Sequence, residues 1–325
     1  MDFGSYLPLL LPLFAVPLLL ASAPRLHPAL ASWLTAASCV VLTAGTAFAL
    51  GLFTVAGLAG LSIVADLGHL STSTLDHADI TDLPVDATAA ALLVAACVAG
   101  ALAATRRVKA LAKAHRLAAE SAADSATDEL LVLPDERPVA HALPGRPGRI
   151  IVSTGMLAGL TPVERRALLA HERAHLSRSH HLFVAVVDIL AAANPLLRPL
   201  RKVVRYTTER WADELAARAV GSRAVVARAV GKAALATDDA TSDNPVALAA
   251  AAGEVPRRVA ALLSTAQGRR PRQLLTSPMS VFALAAVVLT AGSACCAVEA
   301  AGDLHQVLAL AHFADLFPGH VDRLR

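Results

Sequence analysis

Charge is scarce in this sequence: only 17% of its 325 residues are Asp, Glu, Lys or Arg, while 55% are apolar and the mean hydropathy is +0.55. That is too hydrophobic for an ordinary soluble domain and too charged for a bundle built only of membrane helices, so a mixture is expected. Aromatic residues are also few, at 4%. Cysteine is confined to Cys39, Cys97, Cys295 and Cys296, inside or at the edge of apolar runs. Their spacing fits neither a disulfide framework nor a zinc ribbon, which leaves them as small packing residues. The net charge is only +3 and comes largely from arginines beside the apolar runs, so no nucleic-acid partner is implied. No internal repeat is visible.

What is abundant is uncharged length. A bilayer core of roughly 30 Å requires about 20 apolar residues as helix. Four windows qualify: Tyr6 to Ala23, Ala29 to Ala65, Ala87 to Thr105 and Val281 to Val298. The chain opens "MDFG" with no basic residue before the first window, so a retained span is expected there rather than a cleaved signal peptide. The second window is longer than one span and is read as a tilted helix with an interfacial extension. "RRVKALAKAHR" (Arg106 to Arg116) and "GRRPRQ" (Gly268 to Gln273) are basic and should face the cytoplasm, whereas residues 66–86 carry five aspartates and no Lys or Arg and should face outward. Arg25, in the first short loop, agrees with both termini outside a cell membrane. The expected organisation is three spans and an acidic external loop within residues 1–105, a cytoplasmic domain over 106–276, a fourth span over 277–299 and a short external tail over 300–325.

The cytoplasmic segment is long enough for one domain with its own core. After a helical start, "LLVLPDERPVAHALPGRPGRIIVSTG" alternates short apolar runs with Pro and Gly, predicting two or three strands with a turn at Pro144 to Gly148. A helix is then predicted from Pro162, capped by Thr161 with Glu164 completing a capping box. The apolar run Leu182 to Ala193 ends at Asn194 and Pro195, Thr207 or Thr208 is read as capping another helix, Ala236 to Asn244 as a loop and "RRVAALLSTA" as a last helix. The domain is thus expected to be α+β.

"LLAHERAHLSRSHH" (168–181) lies on the capped helix. His171 and His175 are four apart, so both imidazoles share one face and can address one ion. Zinc suits neutral imidazole and, when catalytic, takes three protein ligands and leaves a fourth position for water, which Glu172 could serve as general base. The bare H-E-x-x-H pattern also occurs by chance on solvated helices. Here "ERWAD" supplies Glu209 as a third ligand and, four residues on, Asp213 to hold a ligand histidine by its other nitrogen. His180 and His181 could contact substrate or the oxyanion, or simply form an exposed polar helix end. His141 sits on the expected edge strand, where a peptide could add as a strand or the ring could face solvent. Arg205 and Tyr206 could bind a substrate carbonyl, a lipid headgroup or water. Outside, His69, His77, His305, His312 and His320 beside the aspartates could bind metal or sense pH, or belong to a solvated acidic surface.

The stretch "HALPGRPGRIIVSTGMLAGLTPVERRALLAHERAHL" resembles the core of gluzincin membrane proteases, in which an edge strand, a "GRI-V-STG" strand and an H-E-x-x-H helix follow in that order. The gap from His175 to Glu209, the "NP" between them and the flanking spans are most similar to the BlaR/MecR-type antirepressor peptidases. The resemblance implies a cytoplasmic protease domain holding one zinc per chain, with His171, His175 and Glu209 as ligands, Glu172 as base and Asp213 behind a ligand histidine. It also implies that an external cue triggers cleavage of a cytoplasmic repressor, of the BlaI/MecI winged-helix kind, or of the chain itself. Unlike that family's β-lactam sensors, this sequence contains no S-x-x-K, so covalent β-lactam sensing by this chain alone is not expected. Two other readings stay open: a quality-control or processing protease resembling the HtpX or CAAX prenyl type, and a non-enzymatic receptor with a structural metal site.

Overall fold

The computed structural model describes residues 3–71, 74–75, 82–123, 129–145, 148–240, 245–264 and 278–316. The chain begins with α1 (Leu7–Ser22), α2 (Pro28–Ala59), α3 (Ser62–Gly68) and α4 (Leu83–Ala123). Three short strands follow, β1 (Leu130–Leu133), β2 (Ala140–Leu143) and β3 (Arg149–Ser153), and then α5 (Thr154–Ala158), α6 (Pro162–Ser177), α7 (His180–Ala193), α8 (Leu200–Val220), α9 (Arg223–Ala240), α10 (Pro245–Leu263) and α11 (Pro278–Leu316). Among the described residues, four helical stretches are long and apolar enough to cross a bilayer: Gly4–Arg25, Pro28–Ala59, Pro84–Arg116 and Val281–Leu316. Their outer faces carry exposed Phe14, Trp33, Val94, Val98, Leu284 and Val288. A soluble protein avoids so continuous an apolar surface, and hydrocarbon accepts it.

The largest buried cluster joins α1, α2, α7, α8 and α11 through Ala15, Leu19, Ala31, Cys39, Val187, Ala191, Leu197, Val204 and Ala286. Small residues dominate it and let the helices approach closely. The sequence places Leu182 to Ala193 within a separate cytoplasmic domain. In the structure α7 and the "NP" turn are instead inserted among the candidate spans. The Asn194 amide donates to Thr46 Oγ1 at 3.2 Å, and Thr46 donates to the Pro8 carbonyl at 3.3 Å. From this turn α8 leads back out, Ser32 Oγ donating to its Thr207 Oγ1 at 3.0 Å.

The sheet has the order β1-β3-β2, with β1 parallel and β2 antiparallel to β3, so β2 is an edge. Gly155, just after β3, lies against the Glu136 backbone so closely that any Cβ would overlap its carbonyl. At the start of α6, Glu164 N donates to Thr161 Oγ1 at 3.4 Å and Thr161 N to Glu164 Oε2 at 2.9 Å, the reciprocal bonds of a capping box.

Several boundaries differ from those expected. Thr207 and Thr208 do not cap a helix, because α8 already runs from Leu200. Leu200, Val203 and Val204 are buried on the bundle and carry the helix through, while both threonine hydroxyls bond back to the Val204 carbonyl. Residues 236–240 continue α9 rather than forming a loop, and 241–244 lie outside the described residues. Helix α11 continues past Val298 to Leu316, so most of the expected tail is helical, and its Leu304 and Ala311 pack on Ala56, Ala59 and Leu75. There His312 Nδ1 meets the His69 carbonyl at 3.0 Å and His69 Nδ1 lies 3.7 Å from Asp315. His77 and His320 lie outside the described residues.

Candidate metal centre

Helix α6 presents His171, Glu172 and His175 on its inner face, because residues one and four positions apart around the first histidine all turn toward α8 and β2. Helix α8 answers with Glu209 and Asp213, one turn apart. His171 Nε2 and His175 Nε2 are 3.1 Å apart. Glu209 places Oε2 3.4 Å from the first and Oε1 3.4 Å from the second. These three residues are the one such potential metal-holding group among the described residues.

Behind them, His171 Nδ1 lies 3.0 Å from Asp213 Oδ1. Arg258 of α10 grips Asp213 with two bonds, Nε to Oδ2 at 2.8 Å and Nη2 to Oδ1 at 2.7 Å, and reaches Glu209 Oε2 at 3.0 Å. Buried carboxylates require such a counter-charge to stay ionised. Burial alone would raise Glu209 and Asp213, yet His171 and Arg258 hold both below the usual carboxylate range. For His171, burial would lower the pKa, but Asp213 and Glu209 outweigh it and lift the ring to about 10, so metal uptake must displace a proton. Burial, opposed by Glu209, drives His175 down to about 4, which leaves it neutral and ready to donate. Glu172 is pushed above the carboxylate range mainly by burial, while the Ala142 amide bonds its carboxylate.

Residues 103–267, just over half of the chain, match the profile of peptidase family M48. The chain belongs to peptidase family M48. It is therefore a zinc metallopeptidase, a hydrolase acting on peptide bonds. No curated protein and no solved structure matches it significantly.

The donor set of this M48 peptidase fits zinc. Metal–ligand distances of about 2.0–2.1 Å in a tetrahedron put neighbouring donors roughly 3.3 Å apart; the two imidazole nitrogens are 3.1 Å apart, each lies 3.4 Å from a different oxygen of Glu209, and one donor from each residue falls within 4.8 Å of the others. Two neutral-capable imidazoles and one carboxylate are also the ligand chemistry of open, catalytic zinc sites.

Two cavities, of about 680 and 420 Å³, flank the centre and share Ala140, His171, Glu172, Glu209, Val255 and Arg258, forming one cleft beside the edge of β2. His141, His181 and Arg205 line the larger cavity. Arg205 is already engaged there, Nη2 donating to Asp188 Oδ2 at 2.7 Å. Tyr206 points elsewhere: it is buried with the Arg257 guanidinium 4.6 Å from its ring centre, which removes it as a substrate contact.

His180 departs most from expectation. Rather than ending a helix in water, it is 1% exposed, packs on Trp211 with ring centres 4.8 Å apart and sets Nδ1 3.2 Å from His175 Nδ1. Its burial beside His175 pushes its pKa down to about 3. The sequence alone does not single out Arg258. Two carboxylates four apart on a buried helix face do call for a cation, but nothing in "VPRRVAALL" indicates which arginine supplies it.

Proposed function

We propose that this M48 peptidase is a multi-pass membrane endopeptidase that cuts a cytoplasmic protein, a transcriptional repressor in signal-dependent proteolysis, in the manner of the BlaR/MecR-type peptidases. The observation that carries the reading is the two-sided cleft. A peptide laid against the free edge of Ala140–Leu143 as an added strand would cross the metal centre with residues on both sides, which suits cleavage within a chain. The long apolar helices support residence in the membrane, and the basic Arg106 to Arg116 segment supports a cytoplasmic protease domain with both termini outside.

In this reading one zinc per chain is held by His171, His175 and Glu209. When bound, zinc supplies Lewis acidity, which acidifies water and polarises the scissile carbonyl. Asp213 holds His171 by Nδ1 and fixes its tautomer. Glu172, with its pKa lifted by burial, takes the proton of the attacking water and returns it to the departing amine. Arg258 keeps Glu209 and Asp213 charged and in place.

A membrane quality-control or processing role of the HtpX or CAAX kind is the second reading. It is favoured by Arg107 and Leu111 of α4, which wall the cleft and open it toward the end of a candidate span. Comparing the proteomes of wild-type and Glu172→Gln cells separates the two. Accumulation of one uncut winged-helix repressor supports the first, and accumulation of many membrane proteins supports the second.

A further inference from the structure

A groove of about 410 Å³ lies between α4, the end of α7 and the start of α8, adjoining the larger cavity of the metal centre at Arg107 but lined by none of the metal-centre residues. One end is apolar, walled by Ala99, Leu102, Ala103, Ala191 and Ala192, and the other is lined by Arg106, Arg107, Arg198, Arg201 and Asp188. Four arginines against one aspartate leave a net +3. That aspartate is fully committed: with its side chain only 3% exposed, it accepts from Arg201 Nε at 2.9 Å on Oδ1 and from Arg205 and Arg107 on Oδ2. The side chains of Arg106 and Arg198 have no hydrogen-bond or ion-pair partner among the described residues.

The apolar end does not stop at the groove. Ala99 and Leu102 also belong to an exposed apolar face of α4 that runs through Ala90, Val94 and Val98. The twelve helical steps from Ala90 to Leu102 rise about 18 Å, close to the length of a lipid tail. The arginines begin where the uncharged stretch of α4 ends at Thr105.

We propose that this groove binds an anionic phospholipid, its phosphate between Arg106 and Arg198 and one acyl chain against the apolar face of α4. Guanidinium forks match phosphate oxygens geometrically, and with α4 as a span the unpaired positive charge would fall at headgroup depth, where its uncharged stretch ends. A free phosphate would satisfy the arginines but leave the apolar face of α4 uncovered. The inference rests on the membrane-spanning reading above.

The full-length protein, purified in detergent, is titrated with phosphatidylglycerol or phosphatidylcholine in mixed micelles and the bound lipid is counted by native mass spectrometry. Wild type should retain phosphatidylglycerol in preference to phosphatidylcholine, and excess inorganic phosphate should not displace it. Arg106→Gln/Arg198→Gln should weaken retention about 30-fold, roughly fivefold for each arginine, with an unchanged melting temperature. Arg166→Gln/Arg218→Gln, at exposed sites elsewhere, should retain lipid as wild type does. Equal retention of both lipids, or wild-type retention by the first variant, overturns the proposal. Displacement by inorganic phosphate also overturns it, making the ligand a free anion. Carbonate extraction of cell membranes keeps the two readings apart: a chain released from the membrane refutes the spans themselves, whereas a retained chain without lipid preference refutes only the groove.

Discussion

His171 Nδ1 lies 3.0 Å from Asp213 Oδ1, so one nitrogen of the ring is held by a carboxylate while the other faces His175 and Glu209. A histidine oriented this way, once its outer nitrogen gives up its proton, presents a lone pair to a cation without first losing rotamer freedom. Asp213→Asn should therefore weaken zinc binding by about 10–100-fold, the usual cost of losing such a partner. Competition with a chromogenic chelator measures it, and unchanged affinity would remove Asp213 from the account.

Glu164 links the cap of α6 to Lys232 of α9, whose Nζ lies 2.7 Å from Oε2. Lys232, and then the Thr161 amide, lower its pKa from an ordinary 4.5 to about 2. Because the folded value lies below the unfolded one, the stabilisation is complete above about pH 4.5 and is lost as pH falls toward about 2. At neutral pH, Glu164→Gln should melt below wild type, and the gap should close across that acid window. A gap independent of pH would show that the charge contributes nothing.

Asn194 bonds Thr46 and also accepts from Leu196 N at 3.2 Å, capping the turn between α7 and α8. Asn194→Ala should destabilise the protein by about 1–3 kcal/mol. Combined with Thr46→Val, it should cost less than the sum of the two single changes, because they share one bond. Strict additivity in thermal unfolding would mean that the turn does not depend on α2.

Gly155 has no room for a side chain beside the Glu136 carbonyl. Gly155→Ala should destabilise by about 1–3 kcal/mol, since backbone rather than a flexible side chain must move. A wild-type melting temperature would contradict the close approach.

The readable parts of this protein are those governed by local chemistry. Thr161, Pro162 and Glu164 announce the start of α6 because a cap is set within three residues. His171 with His175, and Glu209 with Asp213, are visible because the helical period places such pairs on one face. What stayed hidden depends on distant partners. Asn194 reads as a helix stop, and only Thr46, 148 positions earlier, draws that stop in among the candidate spans. "SRSHH" reads as polar and exposed, whereas Trp211 and His175 enclose His180. Arg258 is one arginine among many until α10 folds over α8. Likewise Glu299 and Asp303 lower the hydropathy after Val298 without interrupting an alanine-rich helix, so hydropathy ends the fourth span before the helix itself ends.

The central claim is that His171, His175 and Glu209 hold zinc while Glu172 moves the proton. It is tested most directly by purifying Glu172→Gln and measuring bound zinc and peptide hydrolysis on the same sample. The account predicts about one zinc per chain, as in wild type, with hydrolysis reduced by at least about 100-fold, the low end of a general base's contribution. Hydrolysis at the wild-type rate with zinc still bound would contradict it.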